Sequence, residues 1–204
     1  TVPPRPVARE VMTRPTVAEL LPRLAPAQVL CIGRRGLFNW LVQRVTKSPF
    51  SHVVLLDQTA SGIAITMEAA NLDGVRALRL ERHLEDPRVS VLRLRDSSLL
   101  TLALRRQIMT VAWLKEGAAY DVGQLVSLYL RRRLPWLFGG RQRALRRNRL
   151  DQKGRLICSE LVSLAYQDGA GIRLTPAGVA LGNVTPGDLA ESLKLLTIWE
   201  WRAA

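Results

Sequence analysis

The sequence has few of the side chains that carry metal, redox or acid-base chemistry. Of its 204 residues, only two are cysteines and two are histidines. Cys31 and Cys158 are too few for a disulfide framework, and Cys31, within an apolar run, is predicted to be a small buried side chain. A zinc site built from Cys31, Cys158, His52 and His83 is disfavoured because close-spaced ligand pairs are missing. We therefore expect no metal and no cofactor.

Long apolar runs are also missing. No run approaches the roughly 18 residues that span a bilayer, and the first residues lack the apolar core of a signal peptide. The numbering begins at Thr1 rather than at a methionine, so removal of a leader is compatible with the sequence. We expect a soluble or peripheral membrane protein, and the compartment stays open.

Acidic residues are scarce: 17 of them face 30 lysines and arginines, which gives a formal net charge of +13. Residues 131–155 hold ten basic side chains and one acidic one, a net charge of +9. Aromatic and apolar residues interleave with the arginines at the start of this basic segment, a pattern suited to an anionic membrane surface. Nucleic acid would also attract it, but no nucleic-acid motif is present. A solvated loop without a partner is the third interpretation. The candidate membrane- or anion-binding residues are Arg131, Arg132, Arg133, Trp136, Arg141, Arg143, Arg146 and Arg147.

The length predicts one globular domain. Four prolines among the first 16 residues favour an extended start, so residues 1–26 are predicted to form an arm. Residues 27–204 then form the domain, with the basic segment as an insertion at about 131–155. The sequence contains no internal repeat, and the oligomeric state stays open.

Hydrophobic periodicity predicts strands in the first half and helices in the second. The predicted strands are 27–32, 52–56, 63–67, 75–80, 89–94 and, at the end of the chain, 195–201. The predicted helices are 37–45, a helix capped by 96–98 and running to about 116, one from about 121, 158–169, and a short helix after 185.

The residues that suggest chemistry are Cys158, His52 and Glu68. Cys158 opens an amphipathic stretch, and a cysteine in the first turn of a helix is stabilised as the thiolate by the helix dipole. His52 begins one predicted strand and Glu68 ends another. If these strands pair, Glu68 can orient the imidazole that takes the thiol proton. His83 lies in a polar stretch and is predicted to be on the surface.

Five segments then carry a resemblance to a known family. They are Ser-Pro-Phe-Ser-His-Val-Val-Leu at 48–55, Met-Glu-Ala-Ala at 67–70 with Gly-Val at 74–75, Tyr-Asp at 120–121, Ile-Cys-Ser-Glu-Leu-Val at 157–162, and Thr-Pro-Gly-Asp-Leu at 185–189. In this order they resemble the circularly permuted NlpC-like (YiiX-like) papain-fold cysteine hydrolases, in which the histidine strand precedes the cysteine helix. The resemblance implies an α+β, permuted papain-like fold: an antiparallel sheet or partial barrel with the nucleophile helix packed against it.

The resemblance also implies roles. Cys158 would be the nucleophile, His52 the general base and Glu68 the group that orients it. Tyr120 would hold the oxyanion together with the backbone N–H of Cys158. The expected reaction is hydrolysis or acyl transfer at an amide or ester through a thioester, on an acyl, peptide, lipid-linked or cell-wall substrate of the kind that bacterial relatives use.

Two points leave this interpretation open. Relatives usually show Gly-Asp after the first short strand, whereas this chain has Cys-Ile-Gly-Arg-Arg-Gly at 31–36, so the resemblance leaves the entrance loop and the substrate choice open. The alternative function is a catalytically inactive module that binds membranes or nucleic acid through its basic segment.

Overall fold

The fold is seen in a computed structural model that describes residues 14–59, 61–70, 73–124, 127, 130, 154–175 and 179–203. The predicted insertion therefore lies outside the described residues except at its end, and so do all eight candidate membrane- or anion-binding residues. Within the range predicted as an arm, residues 17–23 are helical and Leu20 is buried. No helix in the described part of the chain is long and apolar enough to cross a bilayer.

The main element is a six-stranded antiparallel sheet with the strand order β4-β3-β2-β1-β5-β8. Since the edge strands β4 and β8 do not pair with each other, the sheet is open, and it is not a closed barrel. A separate pair, β6 and β7, is parallel. The strands are β1 Val29–Arg34, β2 His52–Gln58, β3 Ala64–Ala70, β4 Gly74–Arg79, β5 Val89–Asp96, β6 Ala119–Tyr120, β7 Arg155–Leu156 and β8 Leu196–Arg202.

The helices cover both faces of the sheet. They are α1 Val17–Leu20, α2 Leu37–Thr46, α3 Glu81–Leu84, α4 Leu102–Trp113, α5 Cys158–Ala170 and α6 Pro186–Ala190. Short 3-10 turns occur at Leu21–Arg23 and Leu181–Asn183, and the backbone at 122–124 is helical as predicted. The α+β class and the antiparallel sheet are thus confirmed.

Strand β1 shows why the first predicted strands are continuous apolar runs. Val29 and Cys31 pack into the core under α4, α5 and α6, whereas Leu30 and Ile32 pack into a second core on the other face, with Leu20 of α1. Because side chains alternate between the faces of a strand, a strand buried on both faces is apolar throughout. Cys31 is fully buried as predicted, and both cysteines are free thiols.

The start of α4 differs from the prediction. The N-cap is Thr101, whose hydroxyl accepts from the N–H of Leu104, and not a residue of 96–98. Asp96 instead ends β5, and its carboxylate accepts from Arg105 and Gln28. The pairing of β5 with β8 holds Asp96 in the strand, so this tertiary contact overrides the local capping signal.

Candidate active site

Cys158 lies at the first residue of α5, where the helix leaves its N–H groups without intrahelical acceptors. The N-cap residue, Ile157, has an extended backbone and makes no side-chain cap hydrogen bond. The end of the helix is well defined, because the left-handed Gly171 closes it through the carbonyl of Gln167. Helix α5 packs against β2 and β3, which directs its N-terminus toward the start of β2.

His52 is the first residue of β2, opposite Ile32 of β1. The N–H of Ser51 donates to the Ile32 carbonyl at 3.0 Å, so the backbone that carries the imidazole is held against β1. The imidazole lies beside the sulfur of Cys158, close enough for each group to shift the pKa of the other. The structure therefore brings together two residues that are 106 positions apart in the sequence.

Glu68 completes this arrangement from β3, the neighbour of β2. The Nε2–H of His52 donates to Oε2 of Glu68 at 2.7 Å, which leaves Nδ1 for the sulfur. The other oxygen of Glu68, Oε1, accepts from Nε of Arg76 at 3.1 Å. Both carboxylate oxygens are thus occupied, and the predicted pairing of the two strands is confirmed.

The electrostatics favour a thiolate–imidazolium pair. Burial alone would raise the pKa of Cys158, but the His52 charge and hydrogen bond and the N–H groups of Val53 and Ser159 bring it below its ordinary value. Burial would lower the pKa of His52, but the Cys158 thiolate and the Glu68 carboxylate raise it to about 9. The imidazole is therefore protonated at neutral pH, and its charge favours the thiolate form of Cys158.

Glu68 remains charged although it is buried. Burial raises the pKa of a carboxyl group, but the hydrogen bond and charge of His52, together with His83 and Arg76, lower the pKa of Glu68 to about 2. A carboxylate that stays ionised throughout the physiological range fixes both the orientation and the charge of the imidazole.

Tyr120 is brought to the same place by β6 and β7. Tyr120 pairs with Leu156, two residues before Cys158, and the N–H of Asp121 donates to the Leu156 carbonyl. Burial raises the pKa of Tyr120, and the negative Cys158 raises it further. The hydroxyl therefore stays protonated beside the sulfur and is available as a donor.

His83 is the site residue whose predicted position is wrong. It is fully buried rather than on the surface. The four-residue helix α3 places its side chain against Thr66 of β3. Its Nε2–H donates to Oγ1 of Thr66 at 3.0 Å, and its Nδ1 accepts from Arg34 at 2.8 Å. Burial lowers the pKa of His83 to about 3, so it is a neutral hydrogen-bonding residue.

Sequence reasoning also missed Arg76, for which a signal existed. Glu68 and Arg76 are partners across the β3–β4 hairpin. A hairpin turn between Ala70 and Gly74, which the sequence already indicates, fixes this register. No sequence pattern indicated the roles of Arg34 and Thr66. Both hydrogen-bond to His83, and His83 lies on α3, a helix too short to show periodicity.

A cleft of about 400 Å³ opens at this site. His52, Glu68 and Tyr120 line it, together with Phe38 and Asn39 of α2 and several arginines. Cys158 is not among the lining residues and is 5% exposed. A substrate in the cleft would therefore meet the imidazole and the tyrosine first.

The donors around this cleft do not fit a metal ion. His83 uses both ring nitrogens on Thr66 and Arg34, and Glu68 is already paired with His52 and Arg76. Within the described residues, no group of three or more His, Cys, Asp or Glu side chains is arranged to hold a metal.

Comparison with known proteins shows that this chain is similar to a protein of known structure. No protein-family model matches the chain, and no curated protein matches it. The crystal structure of the metalloprotein YiiX from Escherichia coli O157:H7 is similar, with a TM-score of 0.62 and 16% sequence identity. The similarity covers 87% of this chain and 97% of YiiX. The fold of this protein is therefore similar to that of YiiX along nearly the whole of both chains.

Proposed function

We propose that this protein is a papain-like cysteine hydrolase or acyltransferase of circularly permuted topology. The observation that carries the proposal is one imidazole that lies beside the Cys158 sulfur and donates a hydrogen bond to the buried Glu68 carboxylate. A thiolate at a helix N-terminus with a protonated imidazole beside it is the arrangement that nucleophilic acyl transfer requires. The order of histidine strand and cysteine helix and the YiiX-like fold agree with it.

The reaction would proceed in two steps. The Cys158 thiolate attacks the carbonyl carbon of an amide or ester, and the oxyanion that forms accepts hydrogen bonds from the Tyr120 hydroxyl and the backbone N–H of Cys158. His52 then gives its proton to the leaving amine or alcohol as the carbon–heteroatom bond breaks, which leaves a thioester. In the second step His52 takes a proton from water or another acceptor, which displaces the thiolate. Glu68 holds the imidazole in place throughout.

An anionic membrane surface is the proposed location of a lipid or lipid-linked substrate. Among the described residues, support comes from α2, which has no buried residue although it is largely apolar. Leu37, Phe38 and Trp40 are exposed, and Phe38 also lines the cleft. Arg35 precedes α2 and Lys47 follows it, which suits an interfacial helix.

Acylation by a small activated ester tests the enzymatic proposal. With p-nitrophenyl acetate we expect a burst of nitrophenolate equal to the protein concentration and an acetyl group on Cys158 by peptide mass analysis. Cys158→Ser should abolish the burst, and His52→Gln should slow it roughly 10²- to 10⁴-fold, the usual contribution of a general acid–base group. Cys31→Ala is the matched control, because the buried Cys31 should not react.

A different outcome would favour the alternative. If Cys158 is not acylated while the protein still binds anionic vesicles or nucleic acid, the protein is an inactive basic binding module. Equal bursts in the wild type and in Cys158→Ser would also remove the hydrolase proposal.

A further inference from the structure

The cleft beside His52 is lined by more cations than the acid–base chemistry requires. Among the described residues, four arginines and two carboxylates, Glu68 and Asp73, line it. His83 adds no positive charge, because burial keeps it neutral. The arginines are Arg34, Arg76, Arg82 and Arg88.

Two of these arginines donate hydrogen bonds to acidic partners. Arg76 binds Glu68 at 3.1 Å and also contacts Asp73 at 2.5 Å. Arg88 holds Asp86 through two hydrogen bonds of 3.0 Å. Their charges are therefore largely balanced within the protein.

Arg34 and Arg82 have unused donors. Arg34 gives one hydrogen bond to the neutral His83, and its buried Nε is 3.4 Å from Asp86 without forming a hydrogen bond to any described residue. Arg82 is exposed and contacts no acidic group in the described part of the chain. Unused N–H groups at a partly buried guanidinium are costly, and an oxyanion would satisfy them.

Arg34 is also fixed close to the reacting groups. Its backbone N–H donates to Oγ of Ser51, the residue before His52. Burial lowers the pKa of Arg34, while the negative charges of Glu68, Asp86 and Cys158 act in the opposite direction. The guanidinium therefore lies within electrostatic reach of the nucleophile, at the entrance segment whose sequence left the substrate choice open.

We infer that the substrate carries an anionic group, a phosphate or a carboxylate, which Arg34 and Arg82 bind next to the carbonyl that Cys158 attacks. This inference rests on the proposed acyl-transfer function. A planar guanidinium pairs with such groups through two parallel hydrogen bonds, and it is not deprotonated under physiological conditions. The anion would orient the substrate, so that the bond to be broken lies between the arginines and the thiolate.

Two alkylating agents of similar size provide the test. Iodoacetate is an anion and iodoacetamide is neutral, but each alkylates the Cys158 thiolate by displacement of iodide to form a thioether. The ratio of their rate constants therefore reports how strongly the cleft attracts an anion. We expect Arg82→Gln and Arg34→Gln to lower the iodoacetate-to-iodoacetamide ratio at Cys158 at least threefold, measured by peptide mass analysis at low salt.

Matched variants separate the cleft from the overall charge. Arg106→Gln removes the same charge from an exposed position on α4, which is not part of the cleft, and it should leave the ratio unchanged. Arg34→Lys keeps the charge but loses the paired donors, so it should recover only part of the wild-type ratio. Arg82 is exposed and forms no ion pair or side-chain hydrogen bond with another described residue, so Arg82→Gln remains informative even if Arg34→Gln does not fold.

Inorganic phosphate and acetate distinguish the two sources of the anion. If phosphate protects Cys158 against iodoacetamide more strongly than acetate does, the anionic group of the substrate is a phosphate. If acetate protects more strongly, the group is a carboxylate. Arg82→Gln should abolish the protection by either anion. A ratio that is the same in the wild type, Arg82→Gln and Arg34→Gln overturns the anion site while the hydrolase proposal stands. Failure of iodoacetamide to modify Cys158 overturns both.

Discussion

At the scale of single residues, Glu68 controls the acid–base behaviour of the site. It is buried between two β-strands, and it is charged because His52 and Arg76 bind its two oxygens. Its negative charge in turn helps to raise the pKa of His52 to about 9. The imidazolium, which protonates the leaving group in the proposed reaction, is present below that pKa and is lost as the pH rises through it.

We therefore predict that Glu68→Gln moves the alkaline limb of the pH–rate profile to lower pH. The amide keeps the shape of the side chain but removes the charge that stabilises the imidazolium, and with less imidazolium there is less thiolate. Alkylation of Cys158 by iodoacetamide at pH 6 should slow by about tenfold, the change that one pKa unit produces. The rate of the acyl-transfer reaction between pH 5 and 10 measures the shift of the alkaline limb. The rate of alkylation by iodoacetamide at pH 6 measures the loss of thiolate.

Asp73→Asn is the matched control for this variant. Asp73 contacts Arg76 but not His52, and its side chain is 51% exposed. The pH–rate profile should therefore stay close to that of the wild type. An alkaline limb that is unmoved in Glu68→Gln would show that Glu68 does not set the charge of His52.

At the scale of elements, the turn between β3 and β4 connects the sheet to the strand that carries Tyr120. Gly74 has a φ of 72°, and a Cβ there would lie 2.3 Å from the carbonyl oxygen of Ala118. That same oxygen accepts from the N–H of Val75 at 2.7 Å. The close approach of these two backbones holds β6 against the hairpin, so the glycine is required both for its conformation and for space.

We predict that Gly74→Ala destabilises the protein by at least twice as much as Gly62→Ala. Gly62 also has a positive φ, 79°, but a Cβ there would meet no atom within 4 Å. Gly62→Ala should thus cost about 1 kcal/mol from the left-handed conformation alone, whereas Gly74→Ala adds a clash with backbone. Urea unfolding measures the free energy of unfolding of the two variants. Equal losses of stability would show that β6 can shift away from the hairpin without cost.

Most elements followed from sequence patterns, but part of the site did not. The continuous apolar run of β1 and the turn residues before β4 predicted the strands, and the helix signal at Cys158 was correct to one residue at its end. The position of His83 depends instead on α3 and on a hydrogen bond to Thr66 across two elements. Such contacts arise only after the sheet has formed, so no local pattern contains them.

At the scale of the whole molecule, the net charge of +13 favours an anionic surface. The exposed apolar side chains of α2 indicate which surface would face the membrane, and the same helix borders the cleft. An acidic residue is missing from the sequence between Glu19 and Asp57, so the α2 surface, which we define as Arg35, Leu37, Phe38, Trp40 and Lys47, is entirely cationic and apolar.

We predict that the protein floats with vesicles that contain phosphatidylserine and not with pure phosphatidylcholine vesicles, and that salt weakens this binding by screening. Leu37→Ser and Trp40→Ser should each weaken it by about tenfold, because each removes a large apolar side chain from the lipid interface. Leu114→Ser removes an equally exposed leucine outside the α2 surface and should bind like the wild type. Flotation that is independent of lipid charge would remove the membrane part of the proposal, and equal binding by all three variants would show that α2 does not contact the bilayer.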